Sequence, residues 1–257
     1  MKPNLRQDLE TIQHQLMAGQ FQEGISTCRK VLSYAPKEPN ALYMMGVAAA
    51  QLGDANTTQV AFDAALKVTP DRVDLLMNYG NFLRETGALD RAQALLQRAS
   101  ELAPKTAGVW QALSSTQLRL ERFDAALVSA ERFIALAPKA ADAWELAAGA
   151  AQRLGNRDRA LGIIKEGLES LPESPSLHYA LGQLNRESGE FAAASTAYER
   201  ARQLGFQSAD LYRNNAESLL EEGRPLDAAA FARIGLDAPC STSLTKVGTR
   251  ELDPMKN

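Results

Sequence analysis

The residues able to do chemistry in this chain are few and scattered. Its two histidines are His14 and His178, and its two cysteines are Cys28 and Cys240. A zinc-type centre needs three or four ligands at close spacing, and nucleophilic catalysis needs a thiol or hydroxyl beside a base. The cysteines lie 212 positions apart, with neither metal-ligand nor disulfide-framework spacing, so reduced thiols in a reducing, cytoplasmic compartment are expected. No phosphate loop, GxSxG elbow, HExxH helix or calcium loop occurs. Carboxylates number 31, and no pair is singled out by its spacing. The sequence therefore predicts no catalytic residue, no metal and no cofactor.

Composition narrows the partners. Hydrophobic residues at 45% and charged residues at 23% are ordinary globular values over 257 positions. The 28 Lys and Arg against 31 Asp and Glu give a net charge of −3, which leaves no positive field to gather nucleic acid or anionic lipid. The chain opens polar, from Met1, Lys2 and Pro3 to Asp8, without the apolar run of a signal peptide. Its most apolar stretch, Ala41 to Leu52, is interrupted by Gly46 and Gln51 and falls short of the roughly 20 residues a membrane span requires.

The elements that must position these residues announce themselves through proline and glycine. Pro36, Pro70, Pro104, Pro138 and Pro172 are spaced by 34 residues without drift. Gly19, Gly53 and Gly87, then Gly155, Gly189 and Gly223, keep the same step of 34, with Glu121 in the one slot between them. Two unrelated residue types on one period are the signature of stacked supersecondary units. With proline at position 32, seven units follow: 5–38, 39–72, 73–106, 107–140, 141–174, 175–208 and 209–242. Residues 1–4 precede them, and 243–257 form a tail expected to be disordered.

Other columns share the period. Position 4 holds Leu42, Leu76, Trp110, Trp144, His178 and Tyr212; position 8 holds Gly46, Gly80, Ser114, Ala148, Gly182 and Ala216; position 20 holds Gly24 and Thr58, then Ala92, Ala126, Ala160, Ala194 and Ala228. Bulky, small and alanine columns at this spacing closely resemble the tetratricopeptide repeat family. The resemblance implies an all-α, right-handed superhelical solenoid of about seven helix-turn-helix repeats. Departures are local: Asp8 and Ile12 occupy positions 4 and 8 of the first repeat, and Phe206 and Cys240 replace proline in the last two.

Within a unit, apolar residues recur at helical spacing, as in Leu76, Tyr79 and Leu83, then Leu89, Ala92, Leu96 and Ala99. This predicts helix A over positions 2–14 and helix B over 17–30, with N-caps at position 2 in Asn40, Asp74, Gly108, Asp142, Ser176 and Asp210. Glycine at position 15 suits the left-handed residue that ends a helix, and proline at 32 stops helix B. Trp110 and Trp144 read as core wedges, His178 as a packing residue in the same slot, and Cys28 as a buried small hydrophobe.

In the family the inner wall comes from positions 5, 6, 9, 12 and 13 of helix A. The resemblance thus assigns a concave, peptide-binding face to Tyr43, Asn78, Asn81, Arg84, Gln111, Ser115, Arg119, Tyr179, Gln183, Arg186, Arg213 and Asn214, with Met44, Glu145, Gln152, Glu187 and Glu217 beside them. Asparagine, glutamine and arginine there can pair with a peptide's backbone and carboxylates. Asn78 and Asn81 stand out because mid-helix asparagine is a poor helix former. The lysine and asparagine clamp of chaperone-binding family members is absent.

The expected function is a non-enzymatic, cytoplasmic, bacterial adaptor that binds a peptide segment or partner protein. The alternative is the recognition module of a bacterial sulfotransferase or glycosyltransferase, motivated by the composition change after Pro239. An RNA-binding array is disfavoured by the charge. Asp8, Thr11 and Gln15 in place of core residues, beside a separate apolar stripe of Leu5, Leu9, Ile12 and Leu16, mark the first repeat as a cap with a polar outer face. Phe231, Ile234 and Leu236 in the last helix are expected to form an uncovered stripe suited to self-association, to partner docking or to the junction with a lost domain.

Overall fold

The computed structural model describes residues 4–237. Among these it contains fourteen α-helices in seven pairs and no strand. The first unit, ending at Ser129, holds α1 (Leu5–Met17), α2 (Phe21–Tyr34), α3 (Pro39–Gln51), α4 (Ala55–Val68), α5 (Val73–Glu85), α6 (Leu89–Leu102) and α7 (Ala107–Arg119). The boundary falls inside α8 (Phe123–Leu136). The second unit holds α9 (Ala141–Arg153), α10 (Arg157–Ser170), α11 (Pro175–Glu187), α12 (Phe191–Gln203), α13 (Ala209–Glu221) and α14 (Pro225–Asp237).

In each unit the odd-numbered helices lie side by side, α1 on α3, α3 on α5 and α5 on α7 in the first, α9 on α11 and α11 on α13 in the second. Even-numbered helices pack between them from behind, so each unit presents one face made of odd helices alone. Glycine at position 8 permits the close approach within a pair. An added Cβ would stand 2.5 Å from Phe62 at Gly46, 2.7 Å from Leu96 at Gly80 and 2.5 Å from Tyr198 at Gly182. The core of the first unit gathers Leu42, Phe62, Leu75, Tyr79 and Leu83, and that of the second Trp144, Ala148, Ile164, Leu177 and Leu184.

The bulky column at position 4 has a polar role as well. Trp110 and Trp144 donate their indole N–H to the carbonyls of Pro104 and Pro138, at 2.8 and 2.9 Å. His178 keeps that bond, with Nε2 3.0 Å from the Pro172 carbonyl; the carbonyl only accepts, so Nε2 carries the proton. A nitrogen at this place ties the junction of two pairs to the helix that follows. Cys28 is fully buried, and burial pushes its thiol up to about 12.

The helix starts differ from expectation. Odd helices begin at position 1, and their N-caps are the preceding residues, including Glu38, Arg72, Ser174 and Ser208. The reason lies in the turn after helix B, where the N–H of Glu38 bonds the Ala35 carbonyl at 3.1 Å and leaves Glu38 extended at ψ 110°. Pro39 and Pro175 then stand at the first helical position, where their fixed φ is already helical. The acids at position 2, Asp74 and Asp210, lie inside the first turn and favour the positive end of the helix dipole.

Glu121 takes the left-handed conformation of the glycine turns, at φ 58°. Its turn closes as theirs do: Arg122 N–H meets the Gln117 carbonyl at 2.8 Å, just as Ala88 N–H meets the Leu83 carbonyl at 2.8 Å. A non-glycine residue there costs about 1 kcal/mol. Glu121→Gly is expected to stabilise the chain by about that amount, read as a raised thermal midpoint in circular dichroism. A lowered midpoint would mean that the Glu121 side chain holds the turn.

The two ends depart from their expected roles. Asp8 accepts from Lys30 Nζ at 2.8 Å and from the Tyr34 hydroxyl at 2.7 Å, which hold its carboxyl below the usual range. It therefore staples α1 to α2 rather than facing solvent as part of a polar cap. In α14, Phe231 is buried, its ring 5.6 Å from Tyr212 and within 5.9 Å of the Arg202 guanidinium, so it is no part of an uncovered stripe. Ile234 is 44% exposed. The Leu236 side chain, Cys240, the end of the seventh repeat and the tail 243–257 lie outside the described residues.

Candidate functional site

On the odd-helix face of the first unit, Tyr43 of α3 is the hub. Asn78 of α5 donates from Nδ2 to its hydroxyl at 2.6 Å, and the Arg72 guanidinium lies over its ring, 4.2 Å from the centroid. Arg72 is held in turn by both oxygens of Asp74, at 2.7 and 2.9 Å, and by Asn40 Oδ1 at 2.7 Å. Burial, then the nearby Asp74, raise the Tyr43 hydroxyl above its ordinary pKa. Asn78 thus has a structural partner, which the sequence did not disclose. Asn81 is half-buried, and its Oδ1 has no hydrogen-bond partner among the described residues. Arg119 donates from Nη1 to the Arg84 carbonyl at the end of α5, joining α7 to α5. Gln111 is exposed and Ser115 half-buried on α7.

The same face carries a groove that sequence reasoning missed. About 790 Å³ opens between α1 and α3, walled by Leu5, Leu9, Leu16, Met17, Tyr43 and Met44, with Arg6, Glu10, Gln13, Asn40 and Arg72 at its rim. Met17 is 82% exposed there. Leu9, Leu16 and Met17 stand at positions 5, 12 and 13 of the first repeat, the same columns that supplied candidates elsewhere. Reading that repeat as a cap gave its apolar stripe no binding role.

The second unit repeats the tyrosine hub. Tyr179 of α11 accepts from Asn214 Nδ2 of α13 at 3.4 Å and from Gln183 Nε2 at 3.2 Å. Tyr43 to Asn78 and Tyr179 to Asn214 are both steps of 35 residues, from position 5 of one repeat to position 6 of the next. Asn214 is only 5% exposed, so it orients Tyr179 rather than meeting a ligand directly. Phe206 stacks on Tyr179, with centroids 4.6 Å apart and planes at 19°. Arg186 pairs with Glu217 at 3.3 Å and Arg213 with Asp210 at 2.6 Å, while Gln152 donates its amide to Glu187.

The candidates therefore fall into two clusters. Tyr43, Asn78, Asn81, Arg84, Gln111, Ser115 and Arg119 lie in the first unit, and Tyr179, Gln183, Arg186, Arg213 and Asn214 in the second. The described residues contain no group of three His, Cys, Asp or Glu able to hold a metal ion. They also contain no helix long and apolar enough to cross a membrane.

Paired helices at a fixed period, with one face built of alternate helices, define an α-solenoid repeat protein. Two profiles described as tetratricopeptide repeat match the sequence, one over residues 49–115 and the other over 112–175 and 150–207, together more than half of the 257 residues. The chain belongs to the tetratricopeptide repeat family. A search of curated proteins gave no match. Among solved structures it resembles a tetratricopeptide repeat protein from Parabacteroides merdae, at 15% identity and a TM-score of 0.71, covering 95% of this chain and 96% of that one. It is also similar to PilF of Pseudomonas aeruginosa, at 15% identity and a TM-score of 0.62, over 81% of this chain and 97% of that one. YrrB, described as a tetratricopeptide repeat protein with an unusual peptide-binding site, shares 16% identity and a TM-score of 0.52, over 72% of this chain and 98% of that one. At these identities the likeness is one of fold.

Proposed function

We propose that this chain is a non-catalytic adaptor that holds a peptide segment of a partner protein against its odd-helix faces. The α1–α3 groove carries the reading. Its volume of about 790 Å³ lies in the range of ligand sites, roughly 300–1,000 Å³. Its apolar walls and polar rim are what an amphipathic or extended segment needs for burial and orientation. Tyr43, fixed by Asn78 and Arg72, supplies a rigid aromatic anchor, the kind of residue that dominates interface energies. Membership in a family of protein-interaction repeats supports the reading, as does the peptide-binding site named for YrrB.

The test is a selection of phage-displayed random dodecapeptides on the full chain, followed by anisotropy titration of the recovered peptides. Met17→Glu is expected to weaken peptides seated in the α1–α3 groove at least tenfold without loss of helicity, because Met17 is exposed. Asn78→Ala combined with Asn81→Ala is expected to weaken them through the loosened Tyr43 ring. Peptides indifferent to both variants would place binding on another surface.

A further inference from the structure

Three departures from the repeat pattern meet at one place in the second unit. Gly149 occupies position 9 of α9, where other repeats have Val47, Asn81, Ser115, Gln183 and Glu217. Glycine inside a helix is destabilising unless something needs the space. At Gly46, Gly80 and Gly182 a neighbouring side chain needs it; at Gly149 an added Cβ would meet nothing within 4 Å. The packing of the fold gives no reason for this glycine.

What the missing side chain leaves is a cavity of about 340 Å³ between α9 and α11, lined by Gly149, Ala148 and Ala180 and by Glu145, Gln152, Ser176, Tyr179, Gln183 and Phe206. Phe206 is the second departure. It stands where five repeats have proline, and left-handed Gly205, at φ 93°, turns the chain after α12 and its cap Leu204. The ring so delivered stacks on Tyr179 and completes an aromatic wall. Glu145 is the third. It is half-buried, lines the cavity, and has no hydrogen bond or ion pair among the described residues, whereas Arg186 and Arg213 of the same face are each paired with a carboxylate. Gln152 and Gln183 each turn an amide N–H to Glu187 and Tyr179, and their carbonyl oxygens can accept.

We propose that this cavity receives the basic side chain, lysine or arginine, of a bound peptide. Small floor residues and two aromatic rings suit a long aliphatic stem, and a free carboxylate with amide acceptors suits a cationic head carrying several donors. The inference rests on the peptide-binding reading above and names the chemistry of a contact made by the second unit.

The test uses the full chain and the same phage-displayed dodecapeptides, selected in parallel on the wild type, Glu145→Gln and Gly149→Leu. Peptides recovered on the wild type are expected to share a lysine or arginine whose replacement by alanine lowers affinity at least tenfold. Exchange of lysine for arginine in the peptide identifies the preferred head group. Glu145→Gln is expected to lose at least tenfold in affinity for these peptides and most of the salt dependence of binding. Gly149→Leu is expected to lose binding while its thermal midpoint equals or exceeds that of the wild type, since the cavity rather than the fold is filled. Gly149→Ala, with the same or a higher midpoint, controls for the helix. Peptides without a shared basic residue, or basic peptides indifferent to Glu145→Gln, overturn the inference; if Met17→Glu still weakens them, the adaptor reading stands. Failure to recover any peptide, or indifference to substitutions in both units, overturns both.

Discussion

Phe62→Ala is expected to lower stability by about 3–5 kcal/mol, the cost of truncating a fully buried phenylalanine. Phe62 is 1% exposed, and its ring lies 5.3 Å from Tyr79 and 6.3 Å from Tyr43, so one side chain joins α3, α4 and α5. Collapse into the vacated space is hindered because Gly46 offers no side chain to fill it. Urea unfolding followed by circular dichroism measures the loss. Hydrogen exchange is expected to show it concentrated in α3 to α6, since repeat stability is a sum of neighbouring terms. The coupling to Gly46 is testable too. Gly46→Ala alone pushes against the ring and is expected to cost about 1–3 kcal/mol, and it is expected to cost less once Phe62 is alanine. Additive losses would mean that the two residues do not share the space.

Trp144→Ala is the corresponding change in the second unit, again about 3–5 kcal/mol. Trp144 is 7% exposed and lies over Gly167, where an added Cβ would stand 2.9 Å from Trp144 Cγ. It packs with Ile164 and Leu177, and its indole N–H satisfies the Pro138 carbonyl. Truncation thus opens a cavity and strands an acceptor at the junction between pairs. Trp144→Phe keeps most of the apolar volume and loses the hydrogen bond, so a loss of about 1–2 kcal/mol is expected from denaturant titration. Equal losses for alanine and phenylalanine would assign the whole effect to the N–H.

The fold was legible because punctuation and packing agreed. Proline at position 32 and glycine at position 15 end helices for reasons of backbone geometry alone, and the small column at position 8 reports a close approach that Gly46, Gly80 and Gly182 all realise. Glu121 could be placed in a left-handed turn from its slot, and its φ of 58° agrees. The helix starts were one residue off because capping depends on the turn that delivers the chain, which a column of Asp, Asn and Ser does not encode.

The face was legible only column by column. Tyr43 and Asn78 were both candidates, but their bond joins position 5 to position 6 of the next repeat, a register fixed by how two helices pack. Phe206 was visible as a break in the proline column and Gly149 as one more small residue in an alanine-rich helix, but neither column says what the other does. Their meaning comes from the cavity they share across α9, α11 and the turn after α12.

Four hydrogen bonds step 35 residues along the chain: Asn78 to Tyr43, Arg119 to Arg84, Gln152 to Glu187 and Asn214 to Tyr179. The bonds of Arg72 to Asn40, Arg122 to Asp90 and Arg186 to Glu217 step 31 or 32 residues. Closing such a loop is entropically cheap, and chains dominated by local contacts fold fast. Within each unit a helix pair can therefore dock on its predecessor as soon as it leaves the ribosome, with the Tyr–Asn rungs latching one repeat behind the point of synthesis. Growth from the N-terminus then leaves one unfinished edge in a unit at any moment, open for about the time needed to translate one repeat.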